Sequence, residues 1–179
     1  MIDPAVGALL AGAFALLFAS ASLHKLLDLK GFSQVFAAYR LVPRALARAA
    51  FLVPLLELLI GLGLLAGAAR AGAAAAGAVL LSGYGGAVAI NLARGRRELT
   101  CGCGGPNDKR PIAAWMVWRN LALALTLLIV GLPWALRPLT ASDALTIGAG
   151  TAVAALLYMS LDTLLGRVAP RAALMRDSP

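Results

Sequence analysis

Five long apolar stretches dominate this sequence and limit what it can fold into. They lie at about residues 4–24, 49–69, 71–93, 112–132 and 144–165. Each approaches or exceeds the roughly 20 residues that a helix needs to cross the apolar layer of a bilayer. The sequence therefore predicts an all-α fold, a polytopic transmembrane helical bundle of about five helices, with four in a core and one added.

The composition supports a membrane protein and argues against the main alternative for a basic chain. Hydrophobic residues make up 61% of the 179 residues and charged residues 13%, against roughly a quarter charged in soluble domains. No aqueous linker divides the chain, which indicates one membrane domain over residues 1–179. The net charge of +8 does not indicate nucleic-acid binding, because the cations lie between apolar runs, where they fix topology and contact lipid headgroups.

The first apolar stretch and the segment that follows it predict two different kinds of helix. The stretch begins Met1-Ile2-Asp3-Pro4 and lacks the positively charged region of a signal peptide, so we expect a permanent helix. In the segment 31–48, apolar side chains recur at helical spacing, at Phe32, Val35, Phe36 and Tyr39. This pattern predicts either a helix along the membrane interface or a folded connecting helix without lipid contact.

The basic residues are distributed unevenly between the two ends of the predicted bundle. Five crossings place the first loop, the loop at residues 94–111 and the C-terminus on one side. That side holds fourteen cations: Lys25, Lys30, Arg40, Arg44, Arg48, Arg94, Arg96, Arg97, Lys109, Arg110, Arg119, Arg167, Arg171 and Arg176. The other side holds Arg70 and Arg137. The positive-inside rule therefore predicts an external N-terminus and a cytoplasmic loop at 94–111.

The only two cysteines lie in that loop, in the run Thr100-Cys101-Gly102-Cys103-Gly104-Gly105-Pro106. Such a pair can form a strained, readily reduced disulfide, bind a soft metal ion through two thiolates, or remain as two inert thiols. Two cysteines alone do not complete a tetrahedral zinc site, which argues against structural zinc, and no resident metal site is predicted. Flanking cations and the start of the fourth helix favour the reactive thiolate, and hence a redox pair. These cations are Arg96, Arg97, Lys109 and Arg110.

Several polar residues are predicted near the same membrane face. A charge inside a bilayer is costly unless it is paired or lines a wet cavity. The sequence therefore predicts a supporting polar pocket, formed by His24, Lys25, Glu57, Asn91, Arg119 and Asn120. Glu57 is expected to pair with Arg119, or else with His24 or Lys25, either as a proton relay or as a structural salt bridge. Asp162 is expected to pair with a nearby cation or to face water.

Six short motifs, in this order along the chain, resemble the methylamine utilisation protein MauE family. They are Ala21-Ser22-Leu23-His24-Lys25, Tyr39-Arg40-Leu41-Val42-Pro43, Pro54-Leu55-Leu56-Glu57, Asn91-Leu92-Ala93-Arg94-Gly95-Arg96, Cys101-Gly102-Cys103-Gly104-Gly105 and Arg119-Asn120-Leu121. The resemblance covers roughly residues 5–135, and the cysteine motif with its basic lead-in is the most specific part. It implies a multi-pass protein of the bacterial inner membrane that supports maturation, transport or disulfide formation of the methylamine dehydrogenase small subunit or another cell-envelope protein.

The resemblance also implies a thioredoxin-like partner of the MauD type. The architecture looks like the four-helix membrane bundles of DoxX and vitamin K epoxide reductase, and a quinone cofactor follows from that fold analogy only. Three functions result: a membrane thiol–disulfide oxidoreductase using Cys101 and Cys103, a membrane transporter or chaperone for copper, mercury or zinc, and a non-catalytic membrane scaffold. Clients of the family mature outside the cytoplasm, whereas the charge distribution predicts cytoplasmic cysteines. The redox hypothesis therefore requires electron transfer across the membrane, through a quinone or a second protein.

Overall fold

The computed structural model describes residues 1–43, 48–101 and 110–176, with the side chains of residues 48 and 167–176 excluded. Within these ranges the chain forms six α-helices, and the only β pairings are two isolated bridges. The helices are α1 (Pro4–Leu27), α2 (Leu29–Ala38), α3 (Leu52–Leu65), α4 (Arg70–Ala93), α5 (Ala114–Val130) and α6 (Ala141–Arg176). A short 3-10 helix, Arg48–Phe51, leads into α3. The prediction of an all-α fold is confirmed.

Three of the helices are long and apolar enough to cross a membrane, which supports the predicted membrane bundle. They are α1, α4 and the part of α6 from Ala141 to Gly166. Two further apolar helices, Ala49–Leu65 and Ala114–Val130, are shorter than 18 residues. Their lengths are close to the lower limit for a crossing helix, so the count of five crossings stays a prediction.

Helices α1, α3, α4 and α5 surround a common apolar core, and α6 packs on the outside against α1. Phe18 of α1, Leu64 of α3 and Leu127 of α5 are almost completely buried in this core. Gly77 of α4 lies where the other three helices meet, since a Cβ there would be 2.5 Å from Leu127 Cδ2. Such a small residue lets membrane helices approach closely, where apolar burial alone gives little driving force.

At one end of the bundle, charged residues connect the N-termini of two helices. Asp3 caps α1 by accepting a hydrogen bond from the Ala5 amide at 2.9 Å, and Pro4 occupies the first helical position. Arg137 donates hydrogen bonds to Asp3 and to Asp143 of α6. These bonds from the guanidinium lower the pKa of the Asp3 carboxyl. Arg137 therefore links the first turns of α1 and α6 at the end opposite Cys101.

Candidate functional site

A buried ion pair joins α1 to α3 at the arginine-rich end of the bundle. Lys25 lies in the last turn of α1 and Glu57 in the second turn of α3, and Lys25 Nζ is 2.5 Å from Glu57 Oε1. Their side chains are 5% and 1% exposed. Tyr84 of α4 donates a hydrogen bond of 2.7 Å to the same carboxylate oxygen. Of the predicted partners for Glu57, the structure brings only Lys25 to it.

A cavity of about 360 Å³ lies beside this ion pair and extends to the cysteine loop. Lys25 and Cys101 both line it, together with apolar side chains of α2, α3 and α4. Phe32, Val35 and Phe36 of α2, with Tyr39 directly after its end, form one part of the wall. These are the residues whose spacing predicted an amphipathic helix. Their apolar face is therefore turned towards the protein, as expected of the folded connecting helix.

The neck of the cysteine loop is fixed by three contacts. The Ile112 amide donates a hydrogen bond of 2.8 Å to the Leu99 carbonyl, and an isolated antiparallel bridge pairs Thr100 with Pro111. Tyr39, the residue that follows α2, donates its hydroxyl to the Thr100 carbonyl at 3.2 Å. Cys101 follows this neck and packs, partly buried, against an apolar cluster that includes Tyr39. Cys103 and Lys109 lie outside the described residues.

Arg96 attaches the end of α2 to the end of α4. Its guanidinium donates to the Ala38 carbonyl at 2.7 Å, to the Tyr39 carbonyl at 3.4 Å and to Asn91 Oδ1 at 2.9 Å. Asn91, which is fully buried, donates in turn to the Ala87 carbonyl. Arg96 thus satisfies carbonyls at the C-terminus of a short helix, a favourable position for a cation. Its contacts position Tyr39, whose hydroxyl holds the neck of the loop.

Substitution of Arg96 by lysine is expected to loosen this attachment. Lysine keeps the charge but lacks the planar fork that reaches three acceptors at once. We expect a loss of about 1.5–3 kcal/mol in the free energy of unfolding, the usual value for hydrogen bonds to a charged group. Cys101 should also react several-fold faster with a maleimide, measured in detergent with Cys103 replaced by serine. The exposed Arg94→Lys, as control, should change neither value; equal effects of the two variants would contradict this role.

Another predicted site residue, Arg119, belongs to a different contact. Arg119 of α5 hydrogen-bonds to Asp162 of α6, and Arg110 donates to the same carboxylate at 2.8 Å. The guanidinium of Arg119 also lies 5.1 Å from the centre of the Trp115 ring. The expected alternative of a Glu57–Arg119 pair is therefore wrong, because Arg119 has its counterion on α6. Asp162 pairs with cations, one of the two outcomes expected for it.

The remaining predicted residues are placed apart from the cavity. His24 is exposed in the last turn of α1, and Asn120 is buried in α5, where its amide donates to the Met116 carbonyl at 2.7 Å. The polar residues thus form separate groups: Lys25 with Glu57, Asn91 with Arg96, and Arg119 with Asp162. In the described ranges, no three side chains of His, Cys, Asp or Glu come together as metal ligands.

Sequence reasoning missed Tyr84 as a member of the site. It donates to Glu57, lines the cavity, and its ring centre lies 5.4 Å from Lys25 Nζ. A signal for it exists in the sequence, since Tyr84 is the only aromatic residue in the α4 segment, which is otherwise rich in alanine and glycine. A hydroxyl-bearing ring inside an apolar helix usually has a polar partner.

Comparisons with known proteins agree with the resemblance seen in the motifs. The family model for methylamine utilisation protein MauE matches residues 3–135. Methylamine utilization protein MauE of Paracoccus denitrificans is 38% identical over 162 residues, which cover 89% of this chain and 87% of that protein. Its counterpart in Methylophilus methylotrophus is 35% identical over 167 residues, covering 92% and 88%. No solved structure matches the chain.

Proposed function

The chain belongs to the methylamine utilisation protein MauE family, and from this membership and the site geometry we propose that it is a membrane thiol–disulfide oxidoreductase. In this function Cys101 and Cys103 cycle between a dithiol and a disulfide. The observation that carries the proposal is the position of Cys101, which lines the same cavity as the buried ammonium of Lys25. Lys25 is paired with Glu57, whereas the described contacts of Arg96 at the neck of the loop are to neutral oxygens. A positive charge such as that of Arg96 near a thiol favours the thiolate, the form that attacks a disulfide.

The polar groups beside the cavity are suited to handle the protons of this reaction. Oxidation of two thiols forms one S–S bond and releases two electrons and two protons. Glu57 Oε2 is buried and has no hydrogen-bond partner within the described part of the chain, while Oε1 accepts from Lys25 and Tyr84. Oε2 is thus open to a further hydrogen-bond donor. We assign Glu57, with Lys25 and Tyr84, the role of a proton-accepting group beside the pair.

The physiological role we propose follows from the family. The related proteins are called methylamine utilization proteins. We infer that the cysteine pair supports maturation, transport or disulfide formation of the methylamine dehydrogenase small subunit or of another cell-envelope protein. A thioredoxin-like protein of the MauD type would exchange disulfides with it. We place the protein in the bacterial inner membrane with an external N-terminus, because the arginine-rich end that carries Cys101 is expected on the cytoplasmic side.

Thiol trapping in cells tests the redox assignment. The chain contains only two cysteines, so the number of mass tags added by a maleimide reagent reports the state of the pair directly. We expect a mixture of untagged and doubly tagged protein that shifts to doubly tagged after reduction. Cys101→Ser and Cys103→Ser should each carry one tag before and after reduction. A membrane-impermeant maleimide should label the reduced pair in inverted vesicles but not in spheroplasts.

The same variants also distinguish the redox function from a metal carrier and from a scaffold. If both thiols stay reduced under every redox condition, the pair is not an exchange pair. Copper, mercury or zinc that copurifies with the wild type but not with a Cys101→Ser/Cys103→Ser variant would instead indicate a metal carrier. Normal maturation of the client protein with this double variant would indicate a scaffold. Labelling of the pair in spheroplasts would overturn the proposed orientation alone.

A further inference from the structure

The cavity beside Cys101 has the size and lining of a small-molecule site. Its volume of about 360 Å³ falls within the range of roughly 300–1,000 Å³ found for ligand pockets. Four aromatic rings line it: Phe32, Phe36, Tyr39 and Tyr84. Aromatic walls favour a flat ring, which can stack on them or meet their edges. The described lining is otherwise aliphatic, apart from Lys25 and Cys101.

The cavity opens on the surface that the bundle presents to the lipid. Val79 and Gly83 of α4 line it, and Val79 is 74% exposed. A Cβ added at Gly83 would meet no atom within 4 Å, so the wall has a gap at this position. Both residues lie in the helix that is long and apolar enough to cross the membrane. A ligand entering here would come from the apolar layer and must itself be soluble in lipid.

One polar group of the cavity fixes the kind of ligand atom that would be held. Lys25 Nζ carries three N–H donors, of which one binds Glu57 Oε1. The rings of Phe32 and Tyr84 lie 5.6 and 5.4 Å from this nitrogen and leave it in an aromatic surround. An ammonium here offers a hydrogen bond to a carbonyl oxygen. The lining therefore suits a flat, lipid-soluble molecule with a carbonyl group on its ring.

We infer that this cavity binds a lipid-soluble quinone, which oxidises the cysteine pair; the inference rests on the proposed thiol–disulfide function. A quinone accepts as many electrons and protons as the two thiols release. Cys101 and Cys103 lose two S–H bonds and gain one S–S bond. The two electrons and two protons pass to the quinone, whose two carbonyl oxygens become the hydroxyls of a quinol. Lys25 would hold one of these oxygens, with Glu57 and Tyr84 behind it.

Binding can be measured without the reaction by using decylubiquinone and the Cys101→Ser/Cys103→Ser variant in nanodiscs. We expect its apparent Tm to rise with decylubiquinone concentration, since a ligand of the folded state stabilises it. Adding Gly83→Leu should abolish the rise by filling the gap, and Gly83→Ala should reduce it. Gly72→Leu is the matched control, because Gly72 also has open space in α4 but does not line the cavity. Both leucines favour the helix over glycine.

A reaction assay then separates this inference from the proposed function. Reduced protein with both cysteines should convert one decylubiquinone to quinol per chain, and Gly83→Leu should slow this step at least tenfold. Diamide should oxidise the cysteine pair at the same rate in the Gly83→Leu variant as in the protein with glycine at this position. An absent Tm rise, or one that survives Gly83→Leu, would overturn the quinone site even if diamide oxidises the pair reversibly. A pair that no oxidant converts to a disulfide would refute the proposed function, whatever binds in the cavity.

Discussion

Replacing Lys25 by methionine should strongly destabilise the protein. The substitution leaves the buried carboxylate of Glu57 with Tyr84 as its one donor among the described residues. Breaking one side of a buried ion pair typically costs about 3–5 kcal/mol, because the remaining charge stays uncompensated. We expect a loss of that size in the free energy of unfolding, measured by titrating detergent-solubilised protein with sodium dodecyl sulfate.

A double variant identifies the ion pair as the cause. Lys25→Met with Glu57→Leu removes both charges, and an apolar pair of similar volume is often neutral. We therefore expect the double variant to recover most of the stability lost in Lys25→Met. Lys30→Met, five residues away on the exposed surface of α2, should change the free energy by less than about 0.5 kcal/mol. A double variant as unstable as the sum of the two single variants would show that the side chains act independently.

Replacing Asp162 by asparagine should release the outer helix from the bundle. Asp162 accepts from both Arg110 and Arg119, and its side chain is 16% exposed. Without the carboxylate, the two guanidinium groups lose their shared counterion. We expect a loss of about 2–3 kcal/mol, the upper part of the range for hydrogen bonds to charged groups. Amide hydrogen exchange of residues 155–166 should rise, because α6 packs mainly on α1 and not within the core.

The other end of α6 supplies the control for this prediction. Asp143 is 14% exposed and also binds an arginine, Arg137, but that guanidinium is 38% exposed, against 14% for Arg119, and it keeps a second partner in Asp3. Exposed ion pairs contribute about 0–1 kcal/mol, so Asp143→Asn should have a small effect. If the two aspartates of α6 prove equally important, burial of the Arg119–Asp162 contact is not the source of its strength.

The helices are predictable because their signal is continuous along the chain. Runs of apolar residues are long enough to identify α1 and α4 without knowledge of any neighbour. The second stretch is predicted from about residue 49, and α3 begins at Leu52 only because a 3-10 turn precedes it. Helix α2 and its apolar positions are predictable from the sequence. The sequence leaves open whether its apolar face contacts the lipid or the rest of the protein. The choice between them depends on the cavity formed by α3 and α4.

The polar contacts are less predictable, because they depend on how each helix is rotated in the bundle. Glu57 has three basic residues as candidate partners, and Lys25 lies 32 residues away from it. Which of them meets Glu57 is decided by the packing of α1 on α3. Arg119 is expected in the same pocket because both residues lie near one membrane face. The sequence predicts how deep a side chain lies along its helix. The direction in which the side chain points around the helix axis depends on how the neighbouring helices pack.

The contact between Arg119 and Asp162 also has a consequence for biogenesis. The two residues are 43 positions apart, and ribosomes add about 5–20 residues per second, so roughly 2–9 seconds separate their synthesis. If α5 is a crossing helix, as the sequence predicts, it enters the bilayer during that interval while its arginine has no carboxylate from α6. The Trp115 ring beside Arg119 offers the cation a temporary partner within the same helix. Synthesis of α6 would then supply the carboxylate of Asp162, so the contact between α5 and α6 forms only after both helices have been made.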